Sequence, residues 1–365
     1  MTHDLWVEVN RESMTNNFRQ IRETVGKSIK VMAVIKANGY GHGLIESAMI
    51  FTQAGADYLA VTRLAEGIAI RNADIETPIL LFSPILAENA QDAIEADLDI
   101  TVTNIHTAGV ISDIAEKIGK KAKVHAKIDT GMSRLGVYPQ DAVDFIKNLN
   151  QLKNIQLAGV YTHFARATES NFEPTKKQFL KFSEIIDKLD SDNIPRGIAH
   201  CANSSATIRM PESRMDMVRV GTLLYGQYPS NHIPKKLKLK NTWALKARVC
   251  DVRTLKAGVT VGYGGEYLTP RNIDIAIIPV GFADGFSLVP EGPIYRQSLL
   301  KMFFNKLKKK HYIEFERNKL PVLGRVGMQM IVVDKTNAPE LKPGDIVSIP
   351  QLRIPSNPLI PRVII

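Results

Sequence analysis

Eight short apolar, β-branched runs recur through the first two thirds of the chain, at 30–36, 57–62, 78–83, 99–103, 122–128, 156–163, 197–202 and 216–221. Most lack the polar alternation of a half-exposed strand, so they read as strands covered on both faces. Between them lie helix-forming stretches with apolar residues at helical spacing, for example 44–54, 63–71, 88–96, 105–118, 139–149 and 174–189. Thr103 or Asn104 can cap the fourth of these, and Pro139 suits a first helical turn. Strand and helix in strict alternation imply a parallel sheet with right-handed crossovers. Eight such repeats within roughly 210 residues predict a closed (β/α)8 barrel rather than an open doubly wound sheet.

The pattern changes at 226–240, where Pro229, Pro234 and four lysines read as a linker. Beyond it, 243–254, 258–263, 273–280, 321–334 and 345–349 look like strands punctuated by Gly and Pro. The stretch 295–311 is basic, aromatic and apolar, and reads as a short helix on a loop. The expected fold class is therefore α/β: a (β/α)8 barrel over 10–228, then an all-β domain over 229–365, with the opening strand within 1–9 joining that second domain.

A chain of 365 residues, 44% of them hydrophobic and 23% charged, can bury its core without disulfide staples. The two cysteines, Cys201 and Cys250, make neither a disulfide framework nor a zinc spacing, and fit a reducing compartment. The opening residues carry no charged-then-apolar leader, and no apolar run approaches the ~20 residues of a membrane helix. The expectation is a cytoplasmic protein with no membrane association.

Barrel chemistry sits where the strands end. Read in order, those positions hold Lys36, Arg63, Ser83, Thr103, Lys127 with Asp129, His163, Asn203 with Ser204, and Arg219. So many polar strand ends are costly unless they meet a polar ligand or each other. Lys36 closes an apolar strand, where desolvation lowers an amine's pKa and makes it the nucleophile that Schiff-base chemistry requires. Three glycines follow, exposing backbone N–H groups suited to a phosphate. Taken alone, this is equally a snorkelling lysine before an ordinary glycine-rich turn.

Ala33-Val-Ile-Lys36-Ala-Asn-Gly-Tyr40-Gly-His-Gly43 resembles the pyridoxal-phosphate lysine signature of the alanine racemase family. Lys127-Ile-Asp-Thr-Gly-Met-Ser-Arg134-Leu-Gly, Tyr161-Thr-His163-Phe, His200-Cys-Ala-Asn-Ser204, Arg219-Val-Gly221, Val261-Gly-Tyr263-Gly, Pro279-Val-Gly-Phe-Ala-Asp-Gly285 and Gly324-Arg-Val-Gly-Met328 resemble further motifs of that family, in order. The resemblance runs from about residue 4 to the last residues. It implies a barrel, then a β domain, with active sites shared across a homodimer. It also implies a pyridoxal 5'-phosphate enzyme that interconverts L- and D-alanine and supplies D-alanine for peptidoglycan.

The resemblance assigns roles residue by residue. Lys36 is similar to the lysine that holds the cofactor covalently and acts as base on the D face. Tyr263 is similar to the tyrosine base for the L face, reaching in from the other subunit. Racemisation needs two such bases, because a proton leaves one face of Cα and returns on the other. Arg219 resembles the arginine facing the pyridine nitrogen, and its donor-only guanidinium requires that nitrogen to remain an acceptor. Tyr40 and Ser204 beside Asn203, with the backbone of Gly221 and Thr222, resemble the phosphate cradle. His163 resembles the imidazole packed on the cofactor ring. Arg134 and Met328 resemble the residues that meet the substrate carboxylate. Lys127 stands where the family often carries a carbamylated lysine, the alternative being an unmodified lysine paired with Asp129.

Four positions depart from the family pattern at the substrate entrance: Phe282, Thr168, Leu288 and Gln329. The segment after Pro350 is shortened and lacks a tyrosine that otherwise helps bind phosphate. A less polar entrance leaves open a broader or different small amino acid as substrate. Two other functions compete. One is a decarboxylase of the same fold, which Arg219 argues against because decarboxylation favours a protonated ring nitrogen. The other is a nucleic-acid or anionic-surface binder, or a silent cofactor-binding regulator, prompted by the net charge of +10. That charge is local: residues 234–248 carry +6, residues 295–320 carry +6, and the remainder sums to −2. The basicity thus belongs to two segments without site residues, and specific nucleic-acid binding is not expected.

Overall fold

The computed structural model describes residues 3–288 and 311–365. Residues 295–310 of the basic stretch, with the helix expected there, lie outside the described residues. The chain forms two compact units, one comprising 11–40 and 44–242, the other 1–10, 41–43 and 243–365.

Strand β1 (Leu5–Val9) precedes the barrel unit. The barrel itself is β2 (Lys30–Val34), β3 (Tyr58–Val61), β4 (Ile79–Leu81), β5 (Asp99–Val102), β6 (Ala122–Lys127), β7 (Ile155–Tyr161), β8 (Ile198–His200) and β9 (Met217–Val220). All eight pair in parallel, in the order β8-β7-β6-β5-β4-β3-β2-β9. A parallel bridge between Asn203 and Arg219 brings the two ends together, so the sheet is a nearly closed barrel. Each apolar run of the sequence supplies one strand. Continuous burial explains the missing alternation: β4, β5 and β9 are buried at every residue. Met32, Val34, Ala60, Leu80 and Met217 pack one interior cluster against Tyr40, Tyr58 and Phe82.

Helices cover the outside by burying one stripe. Helix Ile105–Lys117 opens as expected, with the Asn104 side chain accepting from Thr107 N at 2.8 Å. Helix Arg11–Val25 is an addition to the sequence reading. It buries Met14, Phe18, Ile21 and Val25, a helical spacing that carries its own signal.

The segment read as a linker is instead fastened to the barrel. Asn17 donates to Leu224 O and Lys240 O, its own Oδ1 accepts from Lys240 N, and Gln20 pairs likewise with Lys238. Proline and lysine composition cannot show such backbone capture.

The second unit holds a nine-stranded sheet. Its strands are β1, β10 (Trp243–Arg248), β11 (Asp251–Leu255), β14 (Ile273–Ile278), β15 (Tyr312–Phe315), β16 (Asn318–Leu323), β17 (Ile331–Asp334), β18 (Ile346–Ile349) and β19 (Arg362–Ile364). The order is β11-β14-β17-β16-β15-β18-β10-β1-β19. A separate ribbon pairs β12 (Thr260–Val261) with β13 (Tyr267–Leu268). Strand β1 runs antiparallel to β10 and parallel to β19. Two runs expected as single strands are split. At Val249–Cys250 the chain leaves β18 and takes up β14 as its partner. The run 321–334 breaks at Gly324, whose φ of +68° favours glycine and where a Cβ would meet Val261 O at 2.7 Å. Val261, Ile273, Ile275 and Leu323 form a core cluster of this unit.

Candidate active site

The strand ends of the barrel unit surround a cavity of about 480 Å³. Lys36, Tyr40, Ser83, Lys127, Arg134, His163, Thr168, Asn203, Ser204, Arg219, Gly221 and Thr222 line it. Three of the polar strand ends face elsewhere. Arg63 is exposed at the start of helix Leu64–Arg71, and Thr103 and Asp129 are not among the lining residues. Asp129 gathers the backbone N–H groups of Gly131, Met132 and Ser133 at 2.8–3.0 Å, which shapes the loop carrying Arg134.

Lys36 opens an unusual turn. Ala37, Asn38 and Tyr40 all take φ near +54°, a region that costs non-glycine residues energy. Two side chains hold the turn. Asn38 Oδ1 accepts from Leu44 N at 2.9 Å, and Glu66 Oε1 accepts from Asn38 N at 3.4 Å while its Oε2 accepts from Thr62 N and Arg63 N. Burial lowers the Lys36 amine, the Arg134 charge lowers it further, and Glu66 opposes both.

Part of the cavity lining forms a cradle. Gly221 N–H donates to Ser204 Oγ at 3.0 Å, which leaves the serine proton to donate onward. A Cβ on Gly221 would lie 2.7 Å from the Tyr40 hydroxyl, so only a bare backbone fits against it. The Tyr40 ring is stacked on Tyr225 with centroids 4.9 Å apart. Asn203 lines the cavity, but its Oδ1 accepts from Ser205 N and Ala206 N and so is committed to capping the helix Ser204–Arg209.

Arg219, 3% exposed, lines the same cavity. Its Nη1 donates to His200 Nδ1 and His200 O, and its Nη2 to Thr162 O, Cys201 O and His163 Nδ1. Its Nε–H has no acceptor among the described residues. Burial pulls the guanidinium down to about 10, with Cys201 and Tyr161 opposing, so it stays charged at neutral pH. His163 and His200 are held well below the ordinary histidine value, first by burial and then by the Arg219 charge. Both rings are neutral.

Lys127 is 6% exposed, with Nζ 4.2 Å from the Tyr161 ring centre. Burial, then Arg219 and Arg134, hold its amine well below the ordinary lysine value, against Asp129. It hydrogen-bonds no carboxylate among the described residues.

Sequence reading passed over the residues behind this surface. Asp99, Thr101, His125 and Tyr161 are buried within strands β5, β6 and β7. Tyr161 lies parallel to His200, centroids 4.9 Å apart, and its hydroxyl meets Thr101 at 2.8 Å. The available signal was a set of polar residues inside otherwise apolar strands.

Two predicted residues lie on the second unit. Tyr263 sits in a tight turn between Gly262 and Gly264 and is 74% exposed. Met328 is exposed, and its carbonyl accepts from Ala283 N at 3.0 Å. Phe282 and Leu288 are exposed hydrophobics of the same unit.

A ligand that carries both an anionic group and an acceptor nitrogen satisfies the cradle and the spare Arg219 donor together. Pyridoxal phosphate carries both groups, and a partly desolvated lysine in the same cavity suits its aldehyde. Fold and donor set thus define the class, a barrel-type pyridoxal-phosphate protein. The comparisons narrow it. The profile for the alanine racemase N-terminal domain matches residues 9–229, and that for the C-terminal domain matches 242–355. The alanine racemase of Methanococcus maripaludis is 36% identical over 352 residues, spanning 96% of this chain and 89% of that protein. That of Desulforamulus reducens is 37% identical over 351 residues, spanning 96% and 90%. The solved alanine racemase of Clostridium difficile 630 superposes with a TM-score of 0.88 at 36% identity, covering 96% of this chain and 87% of that one. The Bacillus anthracis alanine racemase with bound L-Ala-P superposes at 0.83 and 29% identity, covering 96% and 86%. The chain belongs to the alanine racemase family.

Proposed function

We propose that this chain racemises alanine with pyridoxal 5'-phosphate, using Lys36 and Tyr263 as the two bases. The observation that carries the reading is the joining of a desolvated Lys36, a neutral-donor cradle and Arg219 in one cavity. Bound pyridoxal phosphate supplies an electron sink for the pair left on Cα when its proton departs. Lys36 Nζ takes or returns that proton on one face and Tyr263 Oη on the other. Tyr40, Ser204 with the Gly221 backbone behind it, and Thr222 would hold the phosphate, and Asn203 holds the helix that presents Ser204. Arg219 would donate to the ring nitrogen, and a donor-only guanidinium there would keep that nitrogen unprotonated, moderating the sink and disfavouring transamination. His163 would line the place of the cofactor ring, and Arg134 and the Met328 backbone would orient the substrate carboxylate.

Tyr263 is largely open to water as a single chain presents it, and a general base works best where water is excluded. A second copy covering that face would complete the site, so the active form is a homodimer in which each chain lends Tyr263 and Met328 to its partner. Residues 10–228 serve as the cofactor-binding domain and 229–365, with 1–9, as the domain that lends those residues. The site of action is the cytoplasm and the product feeds peptidoglycan. Lys127 reacts as a free amine with carbon dioxide, giving a carbamate and a proton, and the carbamate pairs with Arg134. Its depressed basicity and the lack of a carboxylate hydrogen-bonded to it among the described residues support this, and crystal density at Lys127 Nζ tests it.

The decisive experiment measures racemisation across a panel of L-amino acids with added pyridoxal phosphate, for the native chain and Lys36→Ala. Alanine should be turned over fastest and the variant should be inactive. Retained racemisation in Lys36→Ala overturns the assignment of the base. Equal turnover of serine or lysine makes the chain a broad-specificity racemase.

A further inference from the structure

Four buried residues form a hydrogen-bonded chain through the barrel interior. Arg219 Nη1 lies 3.0 Å from His200 Nδ1, His200 Nε2 lies 3.0 Å from His125 Nδ1, and His125 Nε2 lies 3.0 Å from Asp99 Oδ2. Asp99, His125 and His200 are at most 2% exposed. They stand on strands β5, β6 and β8, and the Tyr161 ring of β7 is stacked on His200.

The chemistry at the two ends permits one proton arrangement. Guanidinium has donors and no acceptor. His200 Nδ1 therefore presents a lone pair, and a neutral ring then carries its proton on Nε2. That proton points at His125 Nδ1, which must be bare, so His125 also carries its proton on Nε2. The last donor meets Asp99, and a carboxylate only accepts. Every bond runs in the same direction, from cation to anion. A proton on either Nδ1 would set donor against donor inside a dry core, where an unmade hydrogen bond is expensive.

We propose that Asp99 is the remote counter-ion of Arg219, acting through His125 and His200, and that these three are positioning residues which hold the guanidinium where the cofactor's ring nitrogen docks. This rests on the function proposed above for its catalytic consequence only; the proton arrangement does not depend on the reaction. Arg219 makes no direct ion pair among the described residues, and carbonyl oxygens and imidazole lone pairs surround it. Two neutral imidazoles, each polarised by Asp99, carry the compensating charge to it while leaving its cavity face open to ligand. The Asp99 charge also acts on Tyr58, whose hydroxyl is raised by burial first and by Asp99 next.

Neutron diffraction from deuterated crystals of the full chain loaded with pyridoxal phosphate tests the arrangement directly. Deuterons are expected on Nε2 of both His125 and His200, with none on either Nδ1 and none on Asp99. A deuteron on either Nδ1, or on the Asp99 carboxyl, overturns the proposal whether or not the chain racemises alanine. Asp99→Asn tests the consequence, since it keeps the shape and removes the charge. Its kcat should fall about ten- to a hundredfold with KM moving less than about threefold, as when supporting partners of a bound centre are lost. Wild-type kcat in a folded Asp99→Asn protein refutes the positioning role. If that variant does not fold, the wild-type neutron map still decides.

Discussion

Replacing Gly221 with alanine probes the cradle without disturbing the backbone, because no left-handed φ is required there. The added methyl would sit 2.7 Å from the Tyr40 hydroxyl and 3.1 Å from its ring carbon Cζ, with Val34 Cβ at 3.5 Å. Carbon and oxygen in contact prefer about 3.5 Å, so the hydroxyl must retreat by roughly 0.5–1 Å. It cannot swing freely, since its ring is stacked on the fully buried Tyr225 and Phe51 meets that ring edge-on. A hydrogen bond lengthened by that amount is effectively lost. A bond to a charged acceptor contributes about 1.5–3 kcal/mol, so cofactor affinity should weaken roughly 10- to 150-fold. The assay is titration of cofactor-free protein with pyridoxal phosphate, following the visible absorption of the bound form. Tyr40→Phe should show a similar loss. The double variant should lose little more than either single one, because both remove the same contact. Affinity within about twofold of wild type in Gly221→Ala would refute the placing of Tyr40 on the phosphate.

Three further outcomes are expected. Tyr263→Phe should bind cofactor normally yet lose solvent-deuterium exchange into L-alanine far more than into D-alanine, as measured by proton NMR of each enantiomer. Thermal stability should decline in acid. His163 and His200 bind protons less readily folded than unfolded, so the stability they leave intact above about pH 6.5 is lost as pH falls, by up to about 1.4 kcal/mol per pH unit for each. Melting curves between pH 8 and pH 5 check this, and a flat profile would contradict the neutral rings. Asn104→Ala should cost about 1 kcal/mol by removing the bond to Thr107 N, measurable by urea unfolding, with racemisation unchanged.

What the sequence revealed follows from where each residue's partners lie. Barrel strands were legible because burial on both faces leaves continuous apolar runs, and Lys36 was legible because its charge interrupts such a run at the point where chemistry belongs. The β domain was blurred where strands change partner without changing composition, as at Val249–Cys250. The capture of 238–240 by Asn17 and Gln20 spans more than 200 residues and leaves no local trace. The interior chain was hidden for a related reason. Asp99 and His125 sit inside apolar strands, where a lone polar residue reads as a satisfied core group. Their meaning depends on β5 and β6 pairing in the register that sets Thr101 against His125. That register, and no property of either residue alone, points them at one another. It joins a carboxylate 2% exposed to a guanidinium 3% exposed through two rings. Polar residues along a predicted barrel strand are therefore better judged as sets on neighbouring strands than one by one. A single buried histidine carries little information, whereas an acid, two histidines and an arginine on strands that meet admit one proton arrangement and one direction.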